Sequence, residues 1–478
     1  MAVSTFKRGL KIKTRKSATE GRAVEIAPTP RQVVIPVNQH FGAPNKALVS
    51  VGDKVRRGQV IAEGLTSGPM TVPVHASISG EVKKIEPRPT SNNSEGLCII
   101  IEAEDIPGGE LFMPPMDPFT CSKEDALQRI RDAGIVGMGG AGFPAHVKLS
   151  PAKPVDLLIA NGSECEPYLT TDEALMSEKT GALVKGVAII MKILGVGKAI
   201  IGMEDNKAEL IPAIEKEVKA GNYSGEISVG LCKTRYPQGG EKMLISALSG
   251  REVPSGGLPM DCGCVVANVG TIVAIAEAFT LGKPLIDRDL TISGKACKTP
   301  KNIRVPIGTI LTDLPPDFIE IDYDKLKKVL YGGPMMGVAA PSADAPIQKN
   351  TSGIILMAKE EVFAEEEATC IRCGRCIRKC PMKLSPVVMN NALDADDLDE
   401  AVHTGLLDCI ECGSCSYICP GRIKLTQRFR SGKQRLRNRQ QLTKEAQEKA
   451  KKAAEKKAAA FQNPPSSSIK AEAGASNA

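Results

Sequence analysis

No tryptophan occurs in this sequence, and aromatic residues make up 3% of it. Proteins that grip single-stranded nucleic acid stack its bases on aromatic rings, so that function class is excluded. No run of about 20 apolar residues is present, the length a spanning helix needs. The best candidate, 186–203, is interrupted by Lys192 and Lys198. The N-terminus lacks the apolar core of a signal peptide and carries Lys7, Arg8, Lys11, Lys13, Arg15 and Lys16 instead. The expectation is a soluble chain that is not exported. Its 15 cysteines are then not disulfides; thiols at this density point to metal ligation or catalysis. The net charge of +7 falls largely near the ends, at 7–16 and 428–457, so it says little about the folded middle.

What is present is ordinary globular material, 42% apolar and 24% charged, long enough at 478 residues for about three or four domains. Residues 1–29 are basic and proline-containing and are expected to form an extended arm. From 30 to 117 short β-branched runs alternate with turn residues: Val33–Val37, Leu48–Val51, Gln59–Ala62, Val72–His75, Glu81–Ile85 and Leu97–Glu102. VGDKVRRGQVIAEG and VPVHASISGEVKKIE read as two quasi-repeated hairpins. They resemble the barrel-sandwich fold of biotinyl and lipoyl domains. The turn between them, LTSGPMTV, has no lysine, so no swinging-arm cofactor is expected.

Residues 118–285 alternate helix and strand, which implies an α/β layer with a largely parallel sheet. Ser122 caps a helix over Glu124–Ala133 that Gly134 ends. Asp156–Asn161, Ala199–Met203, Ile227–Leu231 and Cys264–Asn268 read as strands. Thr171–Leu194, Lys207–Ala220, Gln238–Ser249 and Val269–Thr280 read as helices. Residues 286–345 return to short strands and resemble, from TISGKACKTPKNIRVPIGTIL onward, a soluble-ligand-binding β-grasp (SLBB-like) module. Residues 346–432 carry two cysteine groups. Residues 433–478 are a basic tail, helical to Ala460 and then disordered by composition. The fold class is multidomain α+β.

The two groups are CIRCGRCIRKCP and CIECGSCSYICP. Both spell C-x2-C-x2-C-x3-C-P, the bacterial ferredoxin run for a 4Fe–4S cluster. Three thiolates at every third position wrap three corners of one cubane, and the fourth points away. In two-cluster ferredoxins that fourth cysteine ligates the other cluster. Cys370, Cys373, Cys376 and Cys419 are therefore expected on one cluster, and Cys409, Cys412, Cys415 and Cys380 on the other. Zinc sites generally use separated C-x2-C pairs instead.

GMGGAGFPAHVK, residues 137–148, matches the dinucleotide fingerprint G-x-G-x-x-G letter by letter, with Glu164 about 20 residues on. That fingerprint needs a strand before and a helix after it. Here a helix precedes, and Pro144, Pro151 and Pro154 follow, which no helix interior tolerates. The remaining reading is a loop whose backbone N–H groups approach an anionic ligand, with Lys148 adding charge. The next strand leads into NGSECEPY, where Asn161, Ser163 and Glu164 offer polar groups at a strand C-terminus, the usual ligand position in α/β sheets.

GMGGAGFPAHVK, NGSECEP, PQGGEK and ANVGT together resemble the flavin subunit of respiratory complex I. With the barrel-sandwich segment and the twin ferredoxin runs, residues 30–430 resemble the RnfC family, a component of Rnf-type (Rsx) ion-translocating electron-transport complexes. The resemblance implies FMN contacts from Gly137, Gly139, Gly140, Lys148, Asn161, Ser163, Glu164, Gly240, Glu241, Asn268 and Thr271. Phe143 and Glu166 match positions that meet NADH, and they are the candidate catalytic pair. For Asn268 and Thr271 helix capping is the structural alternative. The resemblance also implies NAD(H) as substrate and docking to other subunits, a ferredoxin-like iron–sulfur subunit among them. The expected location is the cytoplasmic face of a membrane, with Na⁺ or H⁺ pumped by other chains.

The sequence departs from the complex I pattern. Met138 stands for an Arg, Ser163 for an Asp, Cys165 for a Ser, Lys242 for a Glu, and Leu149 for an aromatic. Cys262, Cys264 and Cys165 are read as packing residues. His40, His75, His146 and His403 are isolated, and no Ser–His–Asp arrangement is visible. Three readings stay open: the NAD(H)-reacting subunit of such a complex, a soluble diaphorase or hydrogenase-type flavin subunit, and a non-catalytic electron-relay scaffold.

Overall fold

A computed structural model describes residues 2–462 except 65–67, 69, 93 and 363–365. Part of the LTSGPMTV turn, and all of the expected disordered end from 463, lie outside the described residues.

The first strands are β1 (Val24–Ile26), β2 (Gln32–Pro36), β3 (Asn45–Ala47), β4 (Lys54–Val55), β5 (Val60–Gly64), β6 (Val74–His75), β7 (Gly80–Pro89) and β8 (Glu95–Ala103). Strands β2 to β8 form two facing sheets, β2-β8-β7-β4 and β3-β5-β6. Between them Val33, Ile35, Val55, Ile61, Val74, Val82, Ile99 and Ile101 make one core. This is a barrel sandwich. The run Leu48–Val51, expected as a strand, is irregular and enters a turn at Val51: the Ser50 N–H donates to Asp53 Oδ2 at 2.8 Å and bends the chain, and Gly52 takes φ +93°. Pairing falls just before it, in β3.

The α/β layer contains α1 (Lys123–Asp132), α2 (Ala145–Lys148), β9 (Leu157–Gly162), α3 (Thr171–Glu178), α4 (Thr180–Leu194), β10 (Ala199–Glu204), α5 (Ile211–Ala220), β11 (Ile227–Cys232), α6 (Glu241–Ser249), β12 (Cys264–Asn268) and α7 (Val269–Thr280). Ser122 caps α1 through the Asp125 N–H at 3.1 Å. The expected helix Thr171–Leu194 is two helices, because Lys179 leaves helical geometry at φ −118° and ψ 34°. Asp205–Leu210 is a 3-10 turn before α5. The four strands are parallel in the order β11-β10-β9-β12. The chain therefore runs outward from β9 to β11 and returns to β12 on the other side. The reversal lies between β9 and β12, where ligands bind in open α/β sheets. Asn161 and Asn268, at their C-terminal ends, are register partners there.

The next strands are β13 (Asp287–Ser293), β14 (Lys301–Pro306), β15 (Leu326–Tyr331), β16 (Val338–Ala340) and β17 (Gly353–Ala358). They join β1 in a mixed sheet ordered β1-β14-β13-β17-β15-β16. This sheet extends beyond the expected 286–345. β17, all six residues buried, must pair on both edges and sits centrally. Helices α8 (Arg375–Lys379), α9 (Pro386–Asp394), α10 (Leu398–His403), α11 (Ser414–Tyr417) and α12 (Leu425–Gln462) complete the chain. α12 starts before residue 433 because Leu425 and Phe429 pack with Met389, Leu393 and Leu406.

The N-terminal segment is extended but firmly packed. Phe6 and Leu10 are buried, and Leu10 and Tyr236 exchange backbone hydrogen bonds at 2.7 and 2.9 Å. Lys16 is 2% exposed.

Gly186 lets α4 cross α7 closely: a Cβ there would lie 2.4 Å from the Ile272 carbonyl oxygen. Gly186→Leu is expected to destabilise this domain by about 1–3 kcal/mol, as overpacking does, read as a lowered thermal unfolding midpoint.

Candidate functional site

The glycine loop is closed at its base. The Gly137 N–H donates to the Phe143 carbonyl at 2.8 Å, and Val136 and Pro144 form a bridge. One helical turn, α2, follows Pro144; the prolines forbid a long helix there but not this turn. Gly139 and Gly140 are exposed at the tip. A Cβ on Gly140 would meet nothing within 4 Å, and one on Gly139 would come 3.3 Å from Asn268 Cβ. The tip is thus an open cradle above the sheet reversal.

Asn268 and Thr271 fasten this loop from behind. Asn268 caps α7, accepting from the Gly270 N–H at 2.9 Å, and donates to Asp172 Oδ2 at 2.9 Å. Thr271 Oγ1 accepts from the Met138 N–H at 2.9 Å and donates to the Val136 carbonyl at 3.4 Å. Their side chains hold the scaffold, as the capping alternative had it for Asn268.

Asn161 is likewise engaged. It donates to the Gly239 carbonyl at 2.8 Å and accepts from the Ser163 N–H at 3.1 Å. Ser163 is different, since its Oγ is buried and has no hydrogen-bond partner among the described residues. Lys148 and Glu241 pair at 2.6 Å, both about one-third exposed. Glu241 stands in the first turn of α6, after Gly240.

Glu164 lies deeper. Lys207 stands 3.4 Å and Lys16 3.8 Å from its Oε2, and its Oε1 accepts from the Asp172 N–H at 3.1 Å. Burial, then Lys207, lowers the pKa of Lys16. Burial opposes a charge on Lys207, but Glu164 and Glu204 hold its pKa above the ordinary value. Burial raises Asp172, with Glu164 adding to the shift. Sequence reasoning missed Lys16, Asp172 and Arg288. It placed Lys207 at a helix start, although the C-terminal end of β10 marks that stretch as ligand-proximal.

Arg288 bears on one departure in the loop sequence. From β13 its guanidinium reaches Met138, with Nη1 3.5 Å from the sulfur and Nη2 donating to the carbonyl at 3.4 Å. A buried cation from another sheet thus stands against Met138, the position at which the complex I pattern has an Arg.

Glu166, expected beside a nucleotide, is held by the loop between β15 and β16. Its oxygens accept from the Met335 N–H at 3.0 Å and the Met336 N–H at 2.9 Å. Burial pushes its pKa up to about 7. The Tyr236 hydroxyl is 3.4 Å from it and donates to the Cys412 carbonyl at 2.7 Å.

The cysteine motifs share one backbone path. Arg372 and Glu411, Gly374 and Gly413, and Lys383 and Arg422 occupy equivalent places in the two runs, and all have positive φ. A cavity is lined by Cys380, Cys409, Cys412 and Cys415. The thiol of Cys415 has those of Cys409, Cys412 and Cys380 as neighbours, and that of Cys376 has those of Cys419 and Cys373. The first grouping holds the four cysteines expected on one cluster, and the second holds three of the four expected on the other, Cys370 not being among the neighbours of Cys376. Among the described residues no three metal-ligating side chains converge as a single ion requires. A cubane does not ask for that, since each thiolate binds a different iron. Cys370 is exposed at the rim of its set, whereas Cys380, Cys412 and Cys415 are buried.

Family models match in three places: a RnfC barrel sandwich hybrid domain at residues 4–105, a Nuo51 FMN-binding domain at 130–277 and a 4Fe-4S dicluster domain at 363–420. The corresponding component of the proton-translocating ferredoxin:NAD(+) oxidoreductase complex of Clostridium ljungdahlii is 45% identical, over 90% of this chain and 93% of that one. The chain belongs to the RnfC family. The counterpart from the Na(+)-translocating complex of Acetobacterium woodii is 41% identical, over 80% of this chain and 86% of its own. A relative from Vibrio cholerae is 37% identical, but only 49% of its length is matched. Among solved structures, an NAD+-reducing NiFe-hydrogenase aligns at 20% identity and a TM-score of 0.46, covering 65% of this chain and 60% of its own, and nothing is carried over from it.

The residues present fit FMN: a cradle open at Gly140, a buried hydroxyl at Ser163 that no described residue bonds, and a cation at Lys148. Ser163→Ala removes that hydroxyl without breaking a described contact. It is expected to leave thermal stability unchanged while weakening FMN binding by about 0.5–1.5 kcal/mol, roughly two- to tenfold, measured by flavin fluorescence titration. Lys148→Glu is expected to weaken FMN binding further, with iron content unaltered.

Proposed function

We propose that this chain is the NAD(H)-reacting electron-transfer subunit of a membrane-bound complex that couples ferredoxin and NAD(H) to ion translocation. Family membership and the FMN and dicluster matches support this over a free-standing diaphorase. No helix among the described residues is long and apolar enough to cross a membrane. The chain would therefore dock on membrane subunits at the cytoplasmic face and leave pumping of Na⁺ or H⁺ to them. The six-stranded sheet is read as the SLBB-like module.

FMN, when bound, exchanges electron pairs with NAD(H) and single electrons with iron–sulfur clusters. The chain's own residues arrange this traffic. Gly137, Gly139 and Gly140 admit the ligand to backbone N–H groups. Asn161, Ser163, Glu164, Gly240 and Glu241 wall the pocket, with Lys148 at its mouth, and Asn268 and Thr271 hold the loop in shape. Phe143 serves the nucleotide.

One observation supports the order of the relay: the buried cysteine set lies beside Tyr236 and Gly240, the latter assigned here to FMN. Tyr236 is hydrogen-bonded to Cys412, and a Cβ on Gly240 would lie 3.9 Å from Ile410 of the same motif. The other set is exposed at Cys370 and ringed by exposed Arg372, Arg375 and Arg378. The exposed cluster faces the ferredoxin-like partner, and the buried cluster faces the flavin.

Reconstitution of the isolated chain tests the reading. The expected result is about eight irons, one FMN, and flavin absorbance bleached by NADH. A full iron load with no flavin, or a flavin that NADH leaves coloured, sinks it. Reversing Arg372, Arg375 and Arg378 to Glu is expected to slow electron entry from reduced ferredoxin by about tenfold at low salt. The NADH bleaching rate should stay within error of the unaltered chain.

A further inference from the structure

The loop sequence lacks an aromatic after Lys148; Leu149 is there, 2% exposed and part of the core. The structure supplies a ring from elsewhere. Phe41, in the barrel sandwich, lies against Phe143 with ring centroids 6.2 Å apart and planes 24° from parallel. It is 60% exposed, although this chain has few aromatics and buries most of its large apolar side chains. A solvent-facing phenyl ring beside a ligand cradle lacks the burial that would stabilise it in a core.

The backbone that carries the ring is also held in place. The Phe41 N–H donates to the Gly142 carbonyl at 2.9 Å. Gly142 has φ +65°, and a Cβ on it would sit 3.4 Å from the Gln39 carbonyl oxygen. Gln39 is clamped on both sides, accepting from the Lys349 N–H at 3.0 Å and donating to the Pro36 carbonyl at 3.1 Å. His40 Nε2 bonds the Ala43 carbonyl at 3.0 Å. Lys349 Nζ in turn donates to the carbonyls of Pro73 and Gly134 at 2.9 and 2.7 Å, locking the two domains together. A ring carried on an anchored backbone loses less freedom when a flat base stacks on it than one on a loose loop would.

We propose that Phe41 and Phe143 form a two-domain aromatic platform for the adenine base of NAD(H). This rests on the NAD(H) reading above. The nicotinamide must lie on the flavin, whose pocket is walled by Ser163 and Asn161. The exposed ring at the Gly142 end of the loop is left for the distal base. The barrel sandwich thereby becomes part of the substrate site.

The test uses the full chain loaded with FMN and iron. ADP-ribose, which has the adenine and no nicotinamide, is titrated by calorimetry. Phe41→Ala should weaken its binding about tenfold, within the range for base stacking on an aromatic side chain, and Phe41→Trp should restore it. In steady state the same variant should raise KM for NADH about tenfold more than KM for reduced nicotinamide mononucleotide, with kcat little changed. Unaltered ADP-ribose binding in Phe41→Ala overturns the proposal. So does loss of FMN or a lowered unfolding midpoint, which would make Phe41 a domain clamp. If the unsubstituted chain binds no ADP-ribose and NADH leaves its flavin coloured, the NAD(H) reading falls first and this inference with it.

Discussion

Glu164 is a buried carboxylate on which distant segments converge. Lys16 comes from the N-terminal segment, Lys207 from the end of β10, and the Asp172 N–H from the start of α3. Asp172 then holds Asn268, Asn268 caps α7, and Thr271 in the first turn of α7 holds the Met138 N–H. The chain of contacts runs from the first residues of the protein to the tip of the glycine loop. Buried ion pairs are weak evidence for stability, because desolvation offsets the attraction. Removing one partner is another matter: it strands a charge, at a cost of about 3–5 kcal/mol. The arrangement therefore specifies geometry. The N-terminal segment is thereby tied, contact by contact, to the glycine loop.

The same logic explains why the domains are not independent beads. Arg288 reaches from the mixed sheet to Met138, and Lys349, just before β17, bridges the barrel sandwich and the end of α1. Burial lowers the Lys349 pKa to about 7. A group so expensive to bury is retained where it satisfies carbonyls on both sides of a domain boundary. Each neighbouring domain contributes something the α/β layer lacks: a cation behind the loop, a ring in front of it, a carbonyl lock beside it.

Much of the fold could be read from sequence because its signals are local. The apolar strands β9 to β12, Ser122 before α1 and the cysteine spacing declare themselves within a few residues. The break at Lys179 has no such mark; nothing in EKTG forbids a helix, and only packing ends it. The sheet around β17 was cut short because a six-residue apolar run does not reveal its partners. In the site, the glycines and NGSE were visible as a motif. Lys16, Arg288 and Phe41 were not, since their meaning arises when segments about a hundred residues or more apart meet. Lys16 even looked like its opposite, one more solvated charge in a basic arm.

The two cysteine motifs separate ligation from environment. Spacing and the shared left-handed turns set how the thiolates wrap a cluster, and both runs have them. The residues between set what the cluster meets. In the first run Arg372, Arg375 and Arg378 point a cationic, exposed surface outward. In the second the one acid, Glu411, is neutralised by Arg430 and Lys433 at 3.1 and 2.8 Å, and the cysteines line a cavity walled mainly by apolar side chains such as Leu384, Met389 and Phe429. Cluster potential depends on net charge, hydrogen bonds to sulfur and exposure. An identical ligand frame can therefore sit in two surroundings, one set reaching the surface at Cys370 and the other largely buried at Cys380, Cys412 and Cys415. The interposed side chains, and not the cysteines, make the difference.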